Sequence, residues 1–208
     1  MDVNSYGPLK LTTSAAAVNS VSASASPGAG AIVIDGTLAT GGVATLAAAH
    51  LITLVSGGND TGITFTITGT DSDGRAQTES TVGASAGTKT GTKYFKTVSA
   101  VAHTGSVATT LSVGHAIDSV SNTISPNLST SPIAIGIGVT LVSGTATYKV
   151  QHSYQDGSSS HPTLWFDNSA GAKSASSEAT YSAPVACIRL LVSASASAVL
   201  SAAVVQGG

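Results

Sequence analysis

The run Gly62-Ile63-Thr64-Phe65-Thr66-Ile67-Thr68-Gly69 alternates large apolar residues with threonines and is closed by glycine at both ends. Successive side chains of an extended chain point to opposite faces, so Ile63, Phe65 and Ile67 share one face and Thr64, Thr66 and Thr68 the other. The run predicts a half-buried β-strand. The same period of two recurs in Ile133-Ala134-Ile135-Gly136-Ile137-Gly138-Val139. It recurs again in Tyr148-Lys149-Val150-Gln151-His152-Ser153-Tyr154, where Tyr148, Val150, His152 and Tyr154 share a face. Ile188-Arg189-Leu190-Leu191-Val192 and the stretch from Val199 to Val205 are apolar on both faces, which suits a sheet centre or a subunit interface.

Helix signals are thin. Ala, Ser, Thr and Gly supply 114 of the 208 residues, and three of these four types are poor helix formers. Only Ala44 to Leu54 offers a place for a short turn of helix. Strands recurring about every 8–15 residues between Gly, Asn, Asp and Ser predict an all-β protein of antiparallel β-sandwich or jelly-roll modules.

Charged residues are only 9% of the chain, aromatics 4%, and the net charge is -2. Such a chain lacks the basic surface that phosphate backbones require, so nucleic acid is not an expected partner. No run of about 18 apolar residues occurs, and no membrane partner is expected. Met1-Asp2-Val3-Asn4-Ser5-Tyr6 is acidic where a secretory signal would be basic and apolar. A single cysteine, Cys187, allows neither an intramolecular disulfide nor a cysteine-based zinc site.

Residues 14–30 are nearly all small side chains and read as an extended arm that docks on a neighbour or as a disordered tail. Further on, Ile52-Thr53-Leu54-Val55-Ser56-Gly57 matches Val139-Thr140-Leu141-Val142-Ser143-Gly144 at five of six positions, at an offset of 87. Each copy is followed by an alternating strand and an Asp-Gly pair, Asp73-Gly74 and Asp156-Gly157. The repeat favours two β-domains of one type over a single larger sandwich. The expected organisation is an N-terminal arm over residues 1–30, a first β-domain over 31–118, a linker over 119–131 and a second β-domain over 132–208.

No residue set emerges as a catalytic, cofactor-binding or metal site. Gly83-Ala84-Ser85-Ala86-Gly87 fits the Gly-x-Ser-x-Gly pattern of a nucleophile elbow, but the elbow needs a strand before it and a helix after it. Ser85 therefore reads as part of a flexible loop. Asp71-Ser72-Asp73-Gly74 resembles the start of a calcium loop without the later bidentate Glu, and reads as a hairpin turn, as does Asn59-Asp60-Thr61-Gly62. Gly87-Thr88-Lys89 and Gly91-Thr92-Lys93 lack the spacing of a phosphate loop and read as a solvated hairpin end.

His50, His103, His115, His152 and His161 show no ligand spacing, and most read as partly exposed. His152 stands out by sharing its face with two tyrosines. Trp165-Phe166 is either a stacking platform or, as the scarcity of aromatics favours, the place where Trp165 anchors a second core.

The segment Gly62 to Glu79, with Lys93-Tyr94-Phe95-Lys96-Thr97-Val98, resembles β-rich structural proteins of tailed bacteriophages. So do Tyr148 to Tyr154, Leu164-Trp165-Phe166-Asp167 and Pro184 to Leu190, and together these segments cover about half the chain. The resemblance implies a non-enzymatic virion component without cofactor, of the capsid decoration (cement) type. Its implied partners are the major capsid protein or other virion proteins and further copies of itself. The alternative is a receptor- or carbohydrate-binding β-module of a tail fibre or spike, using Trp165, Tyr154 and exposed loops. A hydrolase is the reading these residues favour least.

Overall fold

Phe65 and Ile67 are buried while Thr64, Thr66 and Thr68 remain at the margin, as the alternation requires. The computed structural model describes residues 3–129, 133–157 and 162–207. Among the described residues every named element is a strand and every ladder is antiparallel. In chain order the first strands are β1 (Val3–Thr12), β2 (Ala17–Ala25), β3 (Gly30–Ile32), β4 (Ala39–Thr40), β5 (Val43–Asn59), β6 (Thr64–Thr70) and β7 (Ala76–Val82). They are followed by β8 (Ser85–His103), β9 (Leu111–Val120), β10 (Ala134–Ser153), β11 (Phe166–Asp167), β12 (Ser177–Tyr181) and β13 (Cys187–Gly207). The short helical turn expected within Ala44 to Leu54 is instead part of β5. Ala44 to Ala48 alternate between buried and exposed positions, Ala49 to Leu54 are almost all buried, and the partner β8 supplies the hydrogen bonds.

The chain divides into two compact units, Ala15–Ile117 and Met1–Ser14 with Asp118–Gly208. In the unit Ala15–Ile117, β5 and β8 pair along most of their length, and β6 lies between β8 and β7. Phe65, Ile67, Phe95, Val98 and Leu46 lie at the centre of its core. Each such side chain contributes about 1.5–3 kcal/mol by leaving water.

The other unit is built on β10 and β13, paired from Ala134↔Gly207 to Ser153↔Cys187. The first half of β10 is flanked by β12, and the second half of β13 by β1. At the other end of the ladder β11 pairs with β10, and Ser119 and Val120 of β9 pair with β13. Tyr148, Leu190 and Leu200 are fully buried between these strands. Tyr148 keeps its hydroxyl satisfied by donating to Ala175 O at 2.8 Å and sharing a hydrogen bond of 2.8 Å with Ser177 Oγ.

The repeated hexapeptide has a structural meaning. Ile52–Gly57 and Val139–Gly144 both lie inside a long strand where its register slips, next to the shift between Ser56 and Asn59 in β5 and the shifts around Ser143 to Ala146 in β10. An extra residue in one strand bends it and raises its twist, which a strand of 17 or 20 residues requires. Gly144 takes a φ of +76°, and a Cβ there would collide with the Ser197 carbonyl.

The arm expected over residues 1–30 is not found over its described residues 3–30, since β1 pairs with β13 and β2 with β9 of the same chain. Leu11, Ser20, Val21 and Ser22 are buried. The low-complexity stretch is compatible with this because small side chains let strands approach closely. At Gly114 of β9 a Cβ would collide with the Ala17 carbonyl.

Candidate functional site

The second half of β10 presents Tyr148, Val150 and His152 to one face, and the chain continues to Tyr154. Tyr148 and Val150 are buried, His152 is half-buried and Tyr154 is 64% exposed, so this face runs from core to solvent over seven residues. The short strand β11 sets His152 opposite Phe166 and Gln151 opposite Asp167. Because alternate residues face opposite ways, this register sends Phe166 to the side of His152 and leaves Trp165 and Asp167 on the other.

On the first side His152 is the hub of four rings. Its imidazole stacks on Phe166 with centroids 5.7 Å apart and meets Tyr154 at 5.2 Å and Tyr181 at 5.0 Å in edge contacts. Tyr154 and Phe166 lie 5.7 Å apart, tilted by 56°. Burial lowers the His152 pKa, so the imidazole is neutral near neutral pH. Burial also raises the Tyr181 pKa, with a smaller opposing effect from the Asn168 side chain. Phe166 remains 41% exposed and Leu164 55%. Gln155 Oε1 accepts from the backbone N–H of Thr163 at 2.7 Å and of Leu164 at 2.9 Å, tying the residue after Tyr154 to the chain just before Trp165.

On the second side a polar ladder crosses the strands. Lys149 Nζ donates to Asp167 Oδ2 at 2.6 Å, Gln151 Nε2 donates to Asp167 Oδ1 at 2.9 Å, and Arg189 Nε donates to Gln151 Oε1 at 3.0 Å. The Lys149 and Gln151 hydrogen bonds hold the Asp167 carboxyl below its ordinary pKa. The Arg189 guanidinium carbon lies 3.9 Å from the Trp165 ring centroid, a cation–π contact. Trp165, expected to anchor the second core, is half-buried, with its Nε1 donating to Pro162 O at 2.9 Å. Tyr148 fills the core position instead.

The remaining residues singled out from sequence are dispersed. Ser85 is exposed and opens β8 rather than lying in a loop, paired with Asn59. Asp71 is buried in the turn between β6 and β7, where Oδ1 accepts from the N–H of Asp73 at 2.8 Å and of Arg75 at 2.9 Å. Asp73 makes a 3.8 Å ion pair with Arg75. Asp60 is buried and accepts from Ala108 N–H at 2.8 Å. Gly87 to Lys93 belong to β8 rather than to a hairpin end, and the buried Glu79 carboxylate accepts from Thr92 N–H, Thr92 Oγ1 and Lys93 N–H.

Most of the histidines read as partly exposed, yet three of them are buried. His50 Nδ1 bonds Ala116 O at 2.9 Å and His103 Nδ1 bonds Gly105 O at 2.7 Å, while His115 bonds Ser20 Oγ at 2.7 Å and Ala15 O at 3.0 Å. Backbone carbonyls and a hydroxyl meet the polar needs that would otherwise hold an imidazole at the surface. His161 lies outside the described residues.

Sequence reasoning placed Tyr154 and His152 on one face, but Phe166 and Tyr181 joined them only through long-range pairing of β11 and β12 with β10. No protein family, curated protein or solved structure matches the chain.

Proposed function

We propose that the chain is a non-enzymatic structural protein of a tailed-bacteriophage virion, of the capsid decoration type. It attaches on the capsid exterior to the major capsid protein and to copies of itself. The observation that carries this reading is the outward face of the sheet β12-β10-β13-β1. One rung of this sheet runs Thr180, Gly136, Val205, Ser5, and the next carries Glu178, Gly138 and Ala203. Val205 is 43% exposed although its strand has a neighbour on each side. A shallow hollow of about 410 Å³ lies where Gly136 leaves room between Val205 and Thr180.

A face of glycine, alanine, valine, serine and threonine with one carboxylate presents little side-chain entropy and few charges to desolvate when another flat surface meets it. Repetition multiplies a modest contact, as in any symmetric assembly. The resemblance to phage β-proteins and the charge-poor composition point the same way.

Cryo-electron microscopy of the purified particle tests the proposal by locating the copies. Density on capsomers is the expected result. Density confined to fibres, spikes or the portal overturns it. Val205→Lys is expected to weaken attachment to particles at least tenfold, because the lysine must be desolvated at the contact.

A further inference from the structure

We propose that Tyr154 and Phe166, with His152 behind them and Tyr181 beside it, form a binding site for a neutral saccharide. This goes beyond attachment to a particle and does not depend on it.

The chain holds only nine Phe, Trp and Tyr residues. It leaves two of them adjacent at the surface, Tyr154 at 64% and Phe166 at 41% exposure, while Tyr148, Phe65 and Phe95 are fully buried. Exposing two large rings side by side forgoes part of their apolar burial, and a stacking ligand recovers it. The rings are also held in place. The β10–β11 register positions Phe166, the imidazole backs it, and Gln155, next to Tyr154, is tied to the backbone N–H groups of Thr163 and Leu164. A platform fixed before binding loses little entropy when the ligand arrives.

The chemistry of the site selects the ligand. Ring faces carry negative π density that attracts the partly positive C–H hydrogens on the apolar face of a pyranose, and the hydroxyl rim of the sugar stays wet. None of the ring partners is a charged group, and the imidazole is neutral near neutral pH. The nearby cations are engaged on the other side of the strands, Lys149 with Asp167 and Arg189 with Gln151 and Trp165. Nucleobases would also stack on such rings, but their phosphates would find no cationic groove in a chain of net charge -2. A neutral saccharide is the ligand class that needs the rings and not the charge.

The test uses the full chain on an array of neutral and anionic glycans, followed by calorimetric titration with cellohexaose, maltohexaose and N-acetylglucosamine hexamer. Expected is binding to at least one neutral glycan with a Kd of about 1 mM or tighter. Tyr154→Ala and Phe166→Ala should each weaken it at least tenfold, and Tyr154→Phe should keep it within threefold. Both aromatic side chains are partly exposed, so the variants should fold, and far-ultraviolet circular dichroism checks this. Val205→Lys should leave glycan binding unchanged, which separates failure of this site from failure of particle attachment. Binding to no glycan, binding to anionic glycans alone, or neutral-glycan binding unaffected by both alanine variants overturns the proposal. So does a loss of association between copies in Tyr154→Ala without glycan binding, which would make the rings a protein contact.

Discussion

The rings of His50 and His115 lie 4.6 Å apart, tilted by 58° and shut off from solvent between β5 and β9. Burial lowers the His115 pKa below its ordinary 6.5, with a smaller opposing effect from the hydrogen bond to Ala15. The unfolded chain therefore takes up a proton at higher pH than the folded one. Stability is fully present above about pH 6.5 and falls as the pH drops towards the folded value. A melting temperature that is flat from pH 7 to 8 and declines from pH 6.5 to 5 is expected. His152, also lowered by burial, acts in the same direction. His115→Gln should remove part of this decline, and an unchanged slope in that variant would contradict the account.

Tyr148 combines a fully buried ring with a hydroxyl that donates to Ala175 O and shares a second hydrogen bond with Ser177 Oγ. Tyr148→Phe should cost about 1 kcal/mol, the net worth of the lost polar contacts, by urea denaturation. Tyr148→Ala should cost about 3–5 kcal/mol through the cavity it leaves.

Asp71 closes its own turn through two backbone hydrogen bonds. Asp71→Ala should cost about 1–2 kcal/mol, because the N–H groups of Asp73 and Arg75 lose their acceptor. Calcium should leave the melting temperature of the parent chain unchanged. A rise of many degrees would show that the carboxylates of Asp71 and Asp73 bind the ion.

Gly144 sits with φ +76° against the Ser197 carbonyl. Gly144→Ala should cost about 1–3 kcal/mol through the strained backbone alone, and more through the collision. Differential scanning calorimetry should show the unit that contains β10 melting earlier while the unit Ala15–Ile117 is little affected.

Removing residues 1–14 deletes β1, uncovering the edge of β13 from Val199 to Gly207 and taking Leu11 from the core. The truncated chain should melt earlier and aggregate, because an exposed apolar strand edge is a template for pairing. Light scattering during a thermal ramp measures both effects. Unchanged melting would mean that β1 is a passive tail.

Local alternation determined much of this protein by itself. Phe65 and Ile67 of β6 and Tyr148 and Val150 of β10 are buried as their spacing indicates, because side-chain direction in a strand depends only on residue parity. The scarcity of helix formers likewise pointed to the all-β class, and each copy of the repeated hexapeptide lies at register slips of a long strand, although both strands slip elsewhere as well. Parity says which residues share a face. It does not say what covers that face, and this is where tertiary structure decided the outcome. Val21 and Ser20 sit in a stretch too small and polar to suggest a core, yet they are buried. Their strand β2 pairs with β9, whose partners lie some 90 residues further on and leave no local mark. Trp165 has the size of a core anchor, but the pairing of Gln151 with Asp167 puts it over Arg189 and hands the core to Tyr148. The three rings around His152 come from β11, β12 and the residue just past β10, and long-range hydrogen bonding brings Phe166 and Tyr181 to it, so no reading of neighbouring residues could have assembled them.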